Sequence, residues 1–296
     1  MIRLVLLRAL RQLAIVPIVA VASYWLMALL PLQVDDEQKQ ALPPELMASY
    51  RKDLGLGEPF GFLRPWEKLF RGERLGTSAQ GVTGEELLLK LSGSVAVGAF
   101  ALVLALVWAV LWALLRVLWV EKRFPRAGEL IPAIAFGTPV FIPALLIAPT
   151  VAEAGHLLPE LGAALVISIW PGVLMGTLLA DALREELKRE YVRTAVGKGL
   201  SRPFVLRRHV LPNVLPVLLD ALGPVATALL AGSFAAERVL GLPYFGQLYV
   251  VAVLQKQVAV VVVATTVFAS ILVIVTTLVE LVRLGVDPRS REERAQ

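Results

Sequence analysis

Cysteine is absent from this chain of 296 residues, which excludes disulfides and thiol chemistry within it. Histidine is nearly absent: only His156 and His209 occur, far apart and without the spacing of metal ligands. The sequence also lacks a Gly-x-x-x-x-Gly-Lys-[Ser/Thr] phosphate loop and a serine nucleophile elbow. These absences predict a chain with no catalytic residues, no metal site, no cofactor and no ATPase site of its own.

Charged residues are scarce as well, at 18% of the chain against about 25% in soluble domains. Apolar residues make up 57%, and the mean hydropathy is +0.72. A solvated surface cannot hide that much apolar material, so lipid must supply part of the environment. Six segments are apolar over the roughly 20 residues that a bilayer crossing needs. They are Leu13–Leu32, Ser94–Val117, Leu130–Val151, Leu161–Leu183, Val214–Ala236 and Val258–Leu281.

The composition therefore predicts an all-α polytopic membrane protein with about six transmembrane helices. The first apolar run has a second interpretation, as the core of a signal peptide, because Ala20-Val21-Ala22 offers small residues for cleavage. The run continues past that point through Trp25 and Leu30. We therefore expect a first helix that is retained.

Outside the long segment 33–93, which contains eight Lys or Arg and ten Asp or Glu, Lys and Arg follow an alternating pattern along the chain. They are frequent before the first span, between spans two and three, between spans four and five, and after span six. Between spans three and four there are none, and between spans five and six only Arg238 and Lys256. Because cytoplasmic loops accumulate Lys and Arg, both termini are predicted to be cytoplasmic. The net charge of +5 is then a membrane-orientation signal, and no nucleic-acid partner is expected.

Three regions follow from these spans. Residues 1–32 form an N-terminal cytoplasmic end with helix one, and residues 33–93 form an external segment between helices one and two. Residues 94–296 form a core with helices two to six, which includes a charged cytoplasmic loop at 184–213. Turn residues such as Pro43-Pro44 and Gly55 punctuate the external segment, as in a small folded subdomain.

The loop at 184–213 has the pattern of two short helices joined at Gly199. Tyr191 and Thr194 continue a helical spacing from Leu187, and Gly199 lies where a helix C-cap favours a left-handed residue. Ser201 is placed to N-cap the second helix, with Pro203 in its first turn. Residues alone leave two interpretations open: a helix–turn–helix that docks against a partner, or an amphipathic connector on the membrane surface.

Two stretches of this loop resemble the "EAA" coupling loop of permease subunits of ABC importers. They are Glu190-Tyr-Val-Arg-Thr-Ala-Val-Gly-Lys-Gly-Leu-Ser and Val205-Leu-Arg-Arg-His-Val-Leu-Pro-Asn. Other stretches look like the dipeptide/oligopeptide permease family, in that family's order. They are Asp53-Leu-Gly-Leu-Gly-Glu-Pro, Phe70-Arg-Gly-Glu-Arg-Leu-Gly-Thr-Ser, Gly232-Ser-Phe-Ala-Ala-Glu237 and Asp287-Pro-Arg289. The chain thus resembles the binding-protein-dependent transport system inner membrane component over most of its length.

The resemblance implies that the loop forms a coupling helix, which sits in a groove of a separate ATP-hydrolysing subunit. Ala195 and Gly199 fall on the motif's small residue and its glycine. The surrounding pattern falls on Glu190, Tyr191, Arg193, Thr194, Lys198, Leu200 and Ser201, and candidate structural or gating residues are Glu237, Pro243 and Gly246. Implied partners are two ATP-binding subunits, a second related permease in a heterodimer, an extracytoplasmic solute-binding protein and membrane lipids. The implied location is the inner or plasma membrane of a bacterium or archaeon.

The chain departs from the family pattern at several places. Val196 and Gly197 stand where the family commonly has a second basic residue and an alanine, and Gly197 weakens a helix by about 1 kcal/mol relative to Ala. The family's Pro-Gly turn appears as Leu242-Pro-Tyr-Phe-Gly246, Lys256-Gln-Val-Ala replaces an acidic-aromatic-proline segment, and Pro31-Leu-Gln replaces Pro-Gly-Asp. Most departures lie on the predicted external or cavity side, so they concern the solute more than the coupling.

The function predicted from this is the translocation subunit of an ATP-driven importer. The resemblance implies peptides or similar small solutes, with nickel complexes, sugars and glutathione-like molecules as known variants. Two alternatives belong to other classes. An ion-coupled secondary transporter needs intramembrane charges or repeated halves, and a lipid-modifying membrane enzyme needs clustered carboxylates or histidines at the interface. The sequence shows neither pattern.

Overall fold

The computed structural model describes residues 10–29, 55, 58, 60–76, 81–120, 123–124, 126–139, 141–152 and 157–286. These residues are almost entirely helical, and their one β-bridge is an antiparallel pairing of Leu75 with Val82. Both chain ends, much of the predicted external segment and the Asp287-Pro-Arg289 match lie outside the described residues.

Eleven α-helices are described. They are α1 (Ile15–Leu29), α2 (Arg64–Phe70), α3 (Gly84–Leu115), α4 (Ala127–Gly137), α5 (Phe141–Ala152), α6 (Leu157–Leu187), α7 (Glu190–Gly197), α8 (Arg202–Val205), α9 (Leu211–Leu240), α10 (Phe245–Leu254) and α11 (Val258–Val286). A 3₁₀ turn at Gly61–Leu63 precedes α2, and π turns extend α3 over Arg116–Val120 and precede α9 over Leu206–Val210.

Five helical stretches among the described residues are long and apolar enough to cross a membrane. They are Leu10–Leu29, Gly84–Val120, Pro159–Leu187, Arg202–Leu240 and Val258–Arg283. Each contains one of the predicted spans or most of it. This confirms the predicted fold class, an all-helical polytopic membrane protein.

The third predicted span, 130–151, is two shorter helices instead of one. Helix α4 ends at Gly137, where Thr138 turns to an extended backbone with ψ of 112°. The residue before a proline is disfavoured in the helical region, and Pro139 follows Thr138 directly. Helices of 11 and 12 residues are each too short for the hydrocarbon core. Hydropathy alone did not reveal this break, because both halves are apolar.

The chain divides into two compact units, with boundaries that fall within α3 and α11. One unit comprises Ala96–Leu240 and Val275–Gln296, together with Met1. Within it, α9 packs chiefly along α6, and α5 packs on both. Arg283 of α11 forms an ion pair with Asp220 of α9, with 2.6 Å between Nη2 and Oδ1.

Helices α3 and α6 approach closely because small residues line their contact. Every fourth residue of α3 from Ala101 to Ala113 is a fully buried alanine. Opposite them, a Cβ on Gly172 would lie 2.5 Å from Trp108 Cβ, and one on Gly176 would lie 2.6 Å from the Ala109 carbonyl oxygen. Small residues at this spacing let helix backbones approach within a membrane.

The other unit comprises Ile2–Val95 and Gly241–Ile274. In it, the buried hydroxyl of Tyr24 in α1 donates a hydrogen bond to the Gly55 carbonyl. The Leu75–Val82 bridge leads into α3, which begins at Gly84 and so extends the predicted second span toward its N-terminus. A reciprocal capping box opens this helix, with Thr83 N–H donating to Glu86 Oε2 at 3.1 Å and Glu86 N–H to Thr83 Oγ1 at 3.2 Å.

Candidate functional site

The loop between α6 and α9 forms two helices on either side of Gly199, as the sequence predicts. Helix α6 ends in a turn in which Lys188 and Arg189 N–H groups donate to the carbonyls of Glu185 and Glu186, at 3.2 and 3.1 Å. Arg189 then takes an extended backbone with ψ of 147°, and α7 starts at Glu190. The chain thus breaks sharply between α6 and α7.

Gly199 ends α7 through a Schellman motif. Its φ is +86°, in the left-handed region that glycine adopts without strain. The Gly199 N–H donates to the Val196 carbonyl at 3.0 Å, and the Leu200 N–H donates to the Ala195 carbonyl at 3.3 Å. These are the two bonds that define the motif. The role of this glycine is therefore to end the helix and turn the chain.

The second helix of the loop runs on into α9. Ser201 occupies the N-cap position of α8 with an extended backbone, but its side chain makes no capping hydrogen bond. Pro203 lies in the first turn, as the sequence predicts. A π turn at Leu206–Val210 joins α8 to α9. It widens the helix just where the ring of Pro212 would otherwise crowd the Arg208 carbonyl.

One side of the loop packs onto the long helices. Tyr191, Val192 and Ala195 of α7 belong to a hydrophobic cluster with residues of α3, α6, the π turn and α9. The fully or nearly buried members are Ala113, Leu179, Ala180, Leu183, Val192, Val205, Val210 and Val214. Of the predicted coupling residues, Tyr191 and Ala195 therefore face inward.

Three polar side chains reinforce that packing. The Tyr191 hydroxyl donates to Glu186 Oε1 at 2.8 Å, and Asn213 Nδ2 donates to the same oxygen at 3.1 Å and to the Tyr191 hydroxyl at 3.3 Å. Burial raises the pKa of Tyr191, and the Glu186 carboxylate raises it further, while the Asn213 hydrogen bond opposes them. The phenol thus stays protonated at neutral pH and able to donate. Sequence analysis missed Glu186 and Asn213, although Asn213 ends the second matched stretch.

The other predicted coupling residues lie on the outer side of the loop. All seven are exposed: Glu190, Arg193, Thr194, Lys198, Gly199, Leu200 and Ser201. Val196 and Leu200 add apolar surface there, at 38% and 39% exposure. The loop therefore presents a mixed charged and apolar face, with Arg193 and Lys198 outnumbering Glu190.

The remaining candidates, Glu237, Pro243 and Gly246, lie beyond the loop. Glu237, in α9, is fully buried. Gly246 is buried in the first turn of α10, and Pro243 is exposed just before it.

Helix α10 is held at both ends. The Pro243 carbonyl accepts from Lys90 Nζ at 2.9 Å, and the Phe245 N–H donates to Ser94 Oγ at 3.0 Å. At the other end, the Gln257 N–H donates to the Ala252 carbonyl at 2.8 Å, and the Lys256 N–H donates to the Val253 carbonyl at 3.1 Å. This is again a Schellman motif, but its left-handed residue is Lys256, with φ of +54°.

A family model describes this region of the chain. Residues 101–292 match the binding-protein-dependent transport system inner membrane component. The match includes α6, α7 and α9 and the whole loop between them. The chain belongs to this family. It is thus an inner membrane component of a transport system, as the motif resemblance predicted.

Curated relatives agree with this assignment. The oligopeptide transport system permease protein OppB of Haemophilus influenzae is 26% identical over 98% of this chain and 100% of its own length. The dipeptide transport system permease protein DppB of Bacillus subtilis is 31% identical over 42% of this chain. The chain spans only 40% of that dipeptide permease. The sequence therefore aligns with known permeases from end to end, and more closely over part of its length.

A solved structure shows the same fold. The MetNI methionine ABC transporter contains a chain that superimposes with a TM-score of 0.54 at 17% sequence identity. The superposition covers 78% of this chain and 99% of the other. At this identity the likeness describes the architecture alone, which is that of an ABC transporter permease.

No candidate metal site accompanies the loop. Across the part of the chain that the structure describes, no three His, Asp or Glu side chains cluster as metal ligands would.

Proposed function

We propose that this chain is the permease subunit of an ATP-driven importer, and that its loop at 184–213 couples ATP hydrolysis by partner subunits to alternating access. Family membership supports the transport role. The chain contains no phosphate-binding loop, so ATP binding and hydrolysis fall to other subunits. Its own part is mechanical: it turns closure of those subunits into movement of its helices.

The observation that carries this proposal is the two-sided packing of α7. Its inner side is fixed by Val192 and Ala195 in the hydrophobic cluster, and by the Tyr191 hydroxyl on Glu186. Its outer side is exposed and charged, with Glu190, Arg193 and Lys198 on it. A segment fixed in this way cannot move without α6 and α9, because packed interiors transmit displacement. A partner that grips the outer side would therefore move both long helices.

The solute that we propose is a peptide or a similar small molecule. Support comes from the names of the relatives, which are dipeptide and oligopeptide permeases. The segments that depart most from the family pattern, Leu242–Gly246 and Lys256–Ala259, belong to the side of the membrane that we predict to be external or to face the cavity. We expect these segments to set which solute is carried, and Glu237, Pro243 and Gly246 to serve structure or gating there.

The partners that we propose are two ATP-binding subunits, a second related permease and an extracytoplasmic solute-binding protein. The family description names a binding-protein-dependent system, which supports the last of these. We place residues 1–32, 33–93 and 94–296 as helix one with a cytoplasmic end, an external segment and the permease core. The location is the cell inner or plasma membrane of a bacterium or archaeon.

The coupling assignment is tested by disturbing each side of α7 in the assembled importer. Ala195→Glu puts a charge into the hydrophobic cluster, and Gly199→Trp puts a bulky residue where φ is +86°. We expect each to abolish ATP-driven uptake in proteoliposomes, with the chain still present in the membrane. The matched control is Gly137→Trp, because a Cβ at Gly137 would meet nothing within 4 Å and its φ is not positive. Full ATP-driven uptake by both loop variants would contradict the proposal.

A further inference from the structure

An apolar groove lies between α3, α6 and the start of α9, all within one unit of the chain. Its volume is about 440 Å³. The lining is Val110, Ala113, Leu114, Leu179, Leu183, Leu211, Pro212, Leu215 and Leu218. Val110, Leu114, Leu211 and Leu215 remain 40–44% exposed, so the groove opens outward between membrane-spanning helices.

Two arginines stand at one end of this groove. Arg207 and Arg208 belong to the π turn, one helical turn before the lining residues Leu211 and Pro212. Both are exposed, and neither forms an ion pair with a residue that the structure describes. Arg116 and Arg184 of the same unit differ in this respect, because both contact Asp181 Oδ1, at 3.2 and 3.1 Å.

We propose that this groove binds an acyl chain of an anionic phospholipid, with its phosphate held by Arg207 and Arg208. Lipid tails are as apolar as leucine, so an apolar groove by itself cannot select one lipid over another. Selection must come from the head group, and two neighbouring cations favour a negative one. The basic loop faces the cytoplasm by the positive-inside rule, and the cytoplasmic leaflet supplies anionic lipid.

Charge also distinguishes a lipid from a helix of a second copy of this chain. A protein partner at this position has to bring a carboxylate to Arg207 and Arg208. Of the carboxylates in the long helices of a second copy, Asp181 and Asp220 already pair with arginines of their own chain. An anionic head group brings its charge without breaking such a pair.

The test uses the assembled importer in nanodiscs of phosphatidylcholine with a minor share of phosphatidylglycerol. After release into detergent, native mass spectrometry gives the ratio of phosphatidylglycerol to phosphatidylcholine that stays bound. At about a factor of five per cation, Arg207→Gln with Arg208→Gln should lower this ratio by about 30-fold. The control pair Arg123→Gln with Arg126→Gln removes two exposed charges on the same predicted side of the membrane and should leave the ratio unchanged.

A second variant addresses the groove itself. Leu215→Trp fills the groove and keeps both arginines, so it should also lower bound phosphatidylglycerol. Because the chain has no cysteine, a benzophenone attached at Leu215→Cys reports what occupies the groove, and we expect lipid adducts. An unchanged ratio in the arginine variant, an equal loss in the control pair, or adducts with the second permease would each overturn the proposal.

Discussion

Helices α7 and α10 are both short and both lie between long helices, yet their chemistry differs. Helix α7 contains charged residues on an exposed side, whereas α10 contains no charged residue at all. Each is fixed to a long helix by a polar contact, the Tyr191 hydroxyl on Glu186 in one case and the Phe245 N–H on Ser94 in the other. The two helices therefore differ in their exposed side chains. The charged side chains of α7 suit a water-soluble partner, and the uncharged side chains of α10 suit an apolar one.

The two helices also differ in how closely the sequence around them keeps the family pattern. The α7 segment keeps the motif except at Val196 and Gly197, whereas the residues before and after α10 have been replaced. A surface that must fit a partner subunit is constrained by that partner. Under the proposed function α7 is a surface of this kind, whereas α10 meets the solute and changes with it. We therefore expect the two helices to respond differently to substitution, in position and in size.

The largest loss of stability is expected where the N-terminal end of α10 packs on α3. A Cβ on Gly93 would lie 2.3 Å from Cδ1 of Tyr244, whose ring covers this glycine. Gly93→Ala should therefore lower the stability of the detergent-solubilised chain by about 2–3 kcal/mol, through displacement of a packed ring. The loss of stability is measured by thermal unfolding of the variant and of the unsubstituted chain.

Two further variants control this prediction. Tyr244→Ala removes the obstructing ring, so Gly93→Ala in that background should cost much less. Gly232→Ala is the same change in a long helix where a Cβ meets nothing within 4 Å, and it should not destabilise. Equal losses for Gly93→Ala with and without Tyr244 would show that the ring does not lie on Gly93.

The next largest effect should come from the polar contacts of α7. Tyr191→Phe keeps the ring in the cluster but removes the donor to Glu186, whose side chain is only 15% exposed. Hydrogen bonds to charged groups contribute about 1.5–3 kcal/mol, and Asn213 keeps one bond to the carboxylate. We therefore expect a loss of about 1–2 kcal/mol, measured by thermal unfolding.

The matched control is Tyr249→Phe in α10. Its hydroxyl accepts from Thr265 Oγ1 at 3.3 Å, a longer contact between neutral groups. We expect a loss of about 0.5 kcal/mol there. A double-mutant cycle of Tyr191→Phe with Asn213→Ala should show coupling, because both side chains bond to one oxygen. Additive losses would mean that the three groups do not act together.

Sequence patterns predicted the parts of this structure that depend on neighbouring residues. The apolar runs, the glycine that ends α7 and the proline that opens α8 are of this kind. The bond from Asn213 to Glu186 joins residues 27 positions apart, and it depends on how the π turn rotates α9. The break at Thr138 is local, but the apolar residues around it gave the stronger signal. The Asn213 bond therefore needs the packed arrangement, whereas the break at Thr138 follows from Pro139 beside it.

A smaller effect is expected at the C-terminal end of α7, where two glycines differ in backbone conformation. Gly197 is the last residue of the helix, and Gly199 turns the chain after it. Neither Gly197 nor Gly199 would bring a Cβ within 4 Å of another atom, so only the backbone differs between them. Gly199→Ala should cost about 1 kcal/mol, because its φ is +86°. Gly197→Ala should instead stabilise by about 1 kcal/mol, since Gly197 lies within the helix. Thermal shifts of the same sign would contradict the Schellman geometry.

The smallest effect should come from the C-terminal turn of α10, where the same motif has no glycine. Lys256 holds a φ of +54° there, which a side chain disfavours by roughly 1 kcal/mol and glycine does not. Lys256→Gly should therefore stabilise by somewhat less than that, because the glycine also gains freedom in the unfolded chain. Thermal unfolding is compared with that of Gln255→Gly, where φ is −86°, so a glycine relieves no strain and the bond from Gln257 Nε2 to Gln255 Oε1 at 2.8 Å is also lost. If Lys256→Gly destabilises as much as the control, the side chain of Lys256 contributes more than its backbone costs. The departure from the family pattern at this turn would then reflect a gain by the lysine, not a tolerated strain.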